Sequence, residues 1–331
     1  MKANKNFWRG KNVLVTGCYG FLASNIIIYL LKKGANIVGI SNDYIPVSLL
    51  CLGSYDKKIS IVPGSITNHP IIKRVLNEYE IQVCFHLAAT AVESFAKNFP
   101  LNTFETNIKG TWCVLESARE CRTIESVVIA SSDKAYGEHK KLPYKEDYLL
   151  VGFYPYDASK VCAETLAKAY FHAFNLPIAI TRCGNLYGPG DFHWSRIIPG
   201  TIRSLIHNEA PIIRSDGTPV RDYFYIEDAV SAYLTLAEKV VKKPEVRGDA
   251  FNFSCETPIT ALDLVKMLIS LHRRSTLRPR ILGKDKPFTE IHAQYLSSEK
   301  ARRALGWKAK YSLKEGLKKT IAWYKSYFKN K

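Results

Sequence analysis

The sequence predicts an α/β protein: a doubly wound parallel sheet followed by a smaller C-terminal α/β lobe. Three observations carry this. From Asn12 to Arg182, short apolar runs alternate with amphipathic stretches, the rhythm of strands joined by crossover helices. A glycine turn separates the first run from the first amphipathic stretch. After Arg182 the alternation stops, and Gly, Pro and aromatic residues crowd positions 184–199. The chain has 331 residues, 47% hydrophobic and 23% charged. That is about two domains of ordinary globular composition, which excludes disordered, collagen-like and coiled-coil chains.

Residues 12–16 (NVLVT) are a strand stopped by Gly17, and 21–33 have helical spacing closed by Gly34. Strands follow at 36–40, 59–62 and 83–87, with a helix at 70–79. A long helix at 101–120 precedes a strand at 126–130. Another at 157–174 precedes the strand at 178–181. Beyond the break, helices are predicted at 196–207, 227–239, 260–271, 298–305 and 313–328, with short strands at 221–225 and 250–253. The boundaries read from this pattern are 1–184 for the sheet domain, with 221–242 returning to it, and 185–220 and 243–331 for the smaller lobe.

The net charge is +17, and residues 239–331 hold 22 Lys/Arg against 8 Asp/Glu. A basic surplus raises nucleic acid, acidic membranes and anionic small molecules as partners. No nucleic-acid motif or aromatic-interleaved basic patch accompanies it. A few of these cations suit a diphosphate, and most of the remainder fall at the spacing of a solvated helix face. The opening residues lack the apolar run of a signal peptide, and no stretch approaches the roughly 18 apolar residues of a membrane span. The eight cysteines are scattered, with no CxxC pair. The expectation is therefore a cytoplasmic protein with reduced thiols, no metal site, no membrane and no nucleic acid.

In the first turn, Gly17 permits the tight bend. Gly20 lets backbone amides at the helix start approach a pyrophosphate, and Ala23 permits close packing of helix on strand. Gly17, Tyr19, Gly20, Phe21 and Leu22 are thus candidates to hold a dinucleotide, the signature of a Rossmann sheet. Asp43, near the end of the second strand, is the candidate for the adenosine ribose. No arginine follows to hold a 2′-phosphate, so NAD is expected over NADP.

Tyr156 and Lys160 lie at i, i+4 on one helix face. An ammonium beside a phenol favours the phenolate, so Tyr156 is a candidate base for a hydroxyl proton while hydride leaves the same carbon. Tyr29/Lys33, Tyr136/Lys140 and Tyr327/Lys331 share the spacing. Tyr156/Lys160 is selected by its place after the fifth strand.

The turn at 16–23, Leu87-Ala88-Ala89, Thr106-Asn107, Ser131-Ser132, Tyr156/Lys160, RCGNLYG (182–188) and ARRALGW (301–307) occur together in order. This set resembles the extended short-chain dehydrogenase/reductases that modify nucleotide sugars, over nearly the whole chain. The resemblance implies NAD contacts at Ile66, Leu87, Ala88, Ala89 and Asn107. It makes Ser132 a hydrogen-bond partner of the reacting hydroxyl and Tyr156 the base, with Lys160 on the nicotinamide ribose. It puts Asn185 on the substrate and Arg221 and Arg280 at its diphosphate. It also implies a homodimer through the helices at 101–120 and 157–174. Asp133 and Lys134, directly after Ser132, supply the extra acid and base that a 4,6-dehydratase needs and a 4-epimerase does not. Asp133 would protonate the departing C6 oxygen. Lys134 would take the C5 proton or stabilise the enolate as a cation. Ser-Asp-Lys is similar to the CDP-glucose 4,6-dehydratases, as are GFYPYDASKVCAE (152–164) and HAQYLSSEKAR (292–302). The first glycine turn, RDYFYI (221–226) and Ser65, where an adenine-contacting aspartate is usual, depart from that subfamily. Epimerisation with the same Ser/Tyr/Lys set is the alternative.

Overall fold

The computed structural model describes residues 7–273, 276–283 and 291–329. Lys331, of the fourth Tyr/Lys pair, and the first six residues lie outside that range. The strands are β1 (Asn12–Thr16), β2 (Asn36–Ser41), β3 (Ser60–Pro63), β4 (Val83–His86), β5 (Ser126–Ala130), β6 (Ile178–Cys183), β7 (Asn185–Tyr187), β8 (Ile212–Ile213), β9 (Val220–Arg221), β10 (Tyr223–Tyr225), β11 (Ala250–Phe253), β12 (Ile259–Thr260), β13 (Arg280–Ile281) and β14 (Ala293–Gln294). The helices are α1 (Phe21–Lys32), α2 (Leu49–Leu52), α3 (His69–Glu78), α4 (Glu93–Asn98), α5 (Pro100–Phe104), α6 (Gly110–Arg119), α7 (Pro155–Phe174), α8 (Ile197–Ile206), α9 (Ile226–Lys242), α10 (Ala261–His272) and α11 (Leu313–Lys329).

Seven parallel strands form the main sheet in the order β11-β6-β5-β4-β1-β2-β3. The chain winds outward both ways from β1 and β4, so their C-terminal ends open a crevice. Apolar side chains of α1 and α9 pack one face, and those of α3, α6 and α7 pack the other. This is the doubly wound sheet expected. The lobe is built from β12-β9-β14, β13-β8 and β10-β7 with α8, α10 and α11. The C-terminal ends of those three helices meet at a cleft of about 450 Å³ lined by Ile206, His272, Arg273, Lys325, Phe328 and Lys329.

Three expectations need correction. The boundary at 243 cuts off a strand of the sheet, because β11, buried at all four residues, pairs in parallel with β6. The helix expected at 101–120 is α5 and α6 separated by a π turn at Glu105–Lys109. The strand expected at 221–225 breaks at Asp222. The Asp222 carboxylate accepts hydrogen bonds from Ser254 Oγ and from the Glu256 amide. That inward turn sends β9 and β10 into different sheets.

Candidate active site

The crevice begins at the end of β1. Gly17 has φ +67°, and a Cβ there would stand 3.0 Å from Ala88 Cα. Both facts require glycine. Gly20 caps α1 with no side-chain hydrogen bond to its first turn, and a Cβ on it would stand 3.0 Å from the Gly17 carbonyl. The first-turn amides of a helix have no partner within the helix. This side-chain-free cradle fits the pyrophosphate of a dinucleotide.

Around the cradle, Thr16 Oγ1 accepts from the Leu87 amide at 2.9 Å and the Ala88 amide at 3.0 Å. Its own proton is therefore directed to His86 Nδ1, 3.0 Å away. The other ring nitrogen, Nε2, then donates to Thr111 Oγ1 at 3.1 Å, and Thr111 donates to the Asn107 carbonyl at 2.6 Å. The chain of bonds needs neutral histidine, and burial, aided by Lys160, lowers His86 to about 3. It fixes the Leu87–Ala89 segment beside the glycine turn. Ile66 is buried. The Tyr19 ring meets Tyr44 edge-on at 5.5 Å. Asp43 is exposed just past β2, its carbonyl accepting from Ser41 Oγ at 2.9 Å.

Asn107 lies in the π turn, a distortion frequent at functional sites. Its side chain clamps the site from beneath. Oδ1 accepts from the Thr90 amide at 2.7 Å, and Nδ2 donates to the Thr90 carbonyl and to Ser159 Oγ. Ser159 in turn donates to the Tyr156 carbonyl at 2.6 Å. Asn107 thus ties the loop after β4 to the first turn of α7, the turn that presents Tyr156 and Lys160.

Ser132, at the end of β5, caps a short 3₁₀ turn at Asp133–Tyr136 and donates to Asp133 Oδ1 at 3.0 Å. Asp133 is 4% exposed. Burial pushes its carboxyl up to about 6, against the pull of Lys134 and the Ser132 hydrogen bond. Tyr156 is buried, and burial raises its phenol above the ordinary value, with the Ser132 hydroxyl opposing. The net direction is therefore opposite to the one expected from a neighbouring ammonium alone, because burial outweighs it. Lys160 is itself lowered to about 8 by burial, and its ammonium donates to the Ala130 carbonyl at 2.8 Å.

Five residues in or under the site were not singled out by sequence. Glu93, at the start of α4, pairs with Lys134 at 3.1 Å. Asp157 is 4% exposed and is also pushed up to about 6 by burial. His86 reads in sequence as one more strand residue. Beneath the β5 turn, Glu164 and Arg182 form a buried pair at 2.6 Å, and Glu164 accepts from Ser131 Oγ at 2.5 Å. No motif marks Glu93, because its partner is 41 positions away in sequence.

The structure brings Ser132, Asp133, Lys134, Tyr156 and Lys160 together. The predicted substrate residues are more dispersed. Asn185 is exposed at the start of β7. The Arg221 guanidinium is buried and donates to the carbonyls of Val220, Ile291 and His292, so backbone rather than an open cleft surrounds much of it. Arg280 is exposed on β13, in a different small sheet. Among the described residues no cluster of His, Cys, Asp or Glu is arranged to hold a metal. No described helix is long and apolar enough to cross a membrane. All eight cysteines are free thiols.

This geometry has relatives. The chain is 29% identical to the CDP-glucose 4,6-dehydratase of Salmonella typhimurium, over 98% of this chain and 94% of the relative. In fold it is similar to the UDP-glucose 4-epimerase of Thermotoga maritima, solved with UDP-glucose. There the TM-score is 0.87 and the identity 26%, over 96% of this chain and 99% of that one. It is similar as well to the dTDP-glucose 4,6-dehydratase of Bacillus anthracis, solved with NAD. That comparison has TM-score 0.82 and 26% identity, over 96% and 97% of the two chains. The profile of the NAD dependent epimerase/dehydratase family matches residues 13–252, from β1 to β11. A glycine cradle at β1 and a Ser/Tyr/Lys set across the same crevice agree with that match, and the chain belongs to the NAD dependent epimerase/dehydratase family, with NAD as its cofactor.

Proposed function

We propose that this protein catalyses the 4,6-dehydration of a nucleoside-diphosphate hexose, CDP-glucose first among candidates, to the 4-keto-6-deoxy sugar. The observation that carries this reading is Asp133, a buried carboxyl beside Ser132 whose titration near 6 keeps part of it protonated around neutrality. A buried acid next to the reacting hydroxyl suits expulsion of the C6 oxygen, which epimerisation does not require. Similarity to a CDP-glucose 4,6-dehydratase over 98% of the chain supports the same choice.

Gly17, Gly20 and the first-turn amides of α1 would hold the pyrophosphate of NAD. Asp43 would take its ribose, with Tyr19, Phe21, Leu22, Ile66 and Leu87–Ala89 around it. The bound cofactor would supply the hydride acceptor for C4 of the sugar and the hydride donor for C6. Ser132 holds the O4 hydroxyl and Tyr156 receives its proton. Lys160, buried, would hold the hydroxyls of the nicotinamide ribose and, as a cation, favour the phenolate. Asp133 protonates the C6 oxygen as it departs as water. Asn185, Arg221 and Arg280 bind the sugar nucleotide from the lobe. Leu101, Trp112 and Phe174, exposed on α5, α6 and α7, support a homodimer through these helices.

The test is incubation with CDP-, dTDP-, UDP- and GDP-glucose, followed by mass spectrometry and proton NMR. The expected product has lost one water and carries a C6 methyl group. C4 inversion without water loss would instead establish a 4-epimerase.

A further inference from the structure

The dehydratase reading needs a base for the C5 proton, and the resemblance gives Lys134 either that role or that of a cation beside the enolate. That base must start deprotonated, lie beside Ser132 and Tyr156, and be open to substrate. Among the described residues, besides Tyr156 itself, Lys160 and the cationic Arg221, four ionisable side chains surround that spot. Asp133 is buried and hydrogen-bonded to Ser132, the setting of an acid. Asp157 is buried in the first turn of α7, closed to a sugar carbon. Lys134 is only 14% exposed, and its ammonium is paired with a carboxylate. That carboxylate is Glu93, 52% exposed, with Oε1 3.1 Å from Lys134 Nζ. The Lys134 amide donates to Ser132 Oγ at 3.2 Å, so the ion pair borders the same volume, and Glu93 also bears electrostatically on Asp133, Tyr156 and Asp157.

We propose that Glu93 is the base that removes the C5 proton, with Lys134 as the adjacent cation that stabilises the enolate. This rests on the dehydratase reading above. Once C4 is a ketone, Glu93 takes the C5 proton and the C–H electron pair passes to the carbonyl as an enolate. The Lys134 ammonium stands beside the developing charge, where a fixed cation is most effective. The enolate collapses, the C6–O bond breaks, and Asp133 gives its proton to the leaving oxygen, which departs as water. Glu93, whose exposed carboxyl exchanges its proton with solvent, then protonates C5 as hydride enters at C6. The proton held by Tyr156 passes through solvent to Asp133, so only the atoms of water are lost. The two acid–base roles thus fall on carboxyls in opposite settings, one buried and one exposed beside a cation.

Single turnovers in deuterated water, with full-length protein and the sugar nucleotide that wild type converts, test this. Glu93→Gln is expected to oxidise C4 within about threefold of wild type, followed by reduced-nicotinamide absorbance. Water loss and deuterium entry at C5 are expected to fall about 10²–10⁴-fold, with partial recovery in Glu93→Asp. Deuterium entering C5 at the wild-type rate in Glu93→Gln overturns the assignment. So does an equal loss of C4 oxidation, which marks Glu93 as a positioning residue. Wild type inverting C4 without losing water overturns the dehydratase reading, and this inference with it.

Discussion

Asp133 shows how an active-site group sets its own pH dependence. Its carboxyl titrates near 6 in the fold against 3.8 for an ordinary aspartate. A raised carboxyl binds its proton more tightly folded than unfolded. The contribution is therefore fully present below pH 4 and is lost as pH rises to about 6. Above that, the buried charge costs roughly 3 kcal/mol at most. Asp133→Asn keeps an oxygen for the Ser132 hydroxyl and removes the charge. It is expected to raise stability at pH 7 by up to about that amount, with little change at pH 4, while abolishing water loss. Urea denaturation at the two pH values checks it, and equal stabilisation at both would contradict the electrostatic account. Tyr156 and Lys160 were legible in sequence because their chemistry lies within one helical turn. Glu93 and Asp157 were not, because they enter the site only once α4 and α7 converge on it. Nor was the sign of the Tyr156 shift legible, since burial is a property of the packed chain.

At the scale of elements, the site stands on joints between strands and helices. The Glu164–Arg182 pair joins α7 to β6, and Ser131 joins both to β5. Arg182 also donates to Tyr136 Oη at 2.7 Å, and Tyr136 donates to Asn252 on β11 at 2.8 Å. Removing one partner of a buried ion pair leaves the other unpaired, at about 3–5 kcal/mol. Glu164→Ala is expected to lose that much by chemical denaturation and to lower turnover through displacement of the Ser132 turn. A loss under about 1 kcal/mol would show that the pair does not bind these elements. The strands β1, β4, β5 and β11 were readable to within a residue, because buried parallel strands are short apolar runs bounded by turns. The π turn was not, because apolar spacing cannot distinguish a continuous helix from one distorted to fit Asn107 against Thr90 and Ser159. The two-residue strands of the lobe are too short for any period to mark.

For the whole molecule, the uneven charge has a partly structural cause. Cationic side chains at helix C-termini offset the negative ends of the helix dipoles, and α8, α10 and α11 bring Arg273, Lys325 and Lys329 to one such meeting point. Another whole-molecule property is the exposed apolar face of α5, α6 and α7. Light scattering is expected to give twice the chain mass. Leu101→Glu combined with Trp112→Glu is expected to give the single-chain mass, and a monomeric wild type would remove the homodimer from this account. The doubly wound sheet was legible in outline, but chain order misled where β11 re-enters the sheet after the chain has passed through the lobe. That re-entry governs how the protein is made. A ribosome extends the chain from its N-terminus, so β6 emerges well before its neighbour Ala250–Phe253. Until then the nascent sheet has an open, apolar edge, the kind of surface on which chains aggregate. Chaperone demand during synthesis is therefore expected to be greatest in the interval between those two strands.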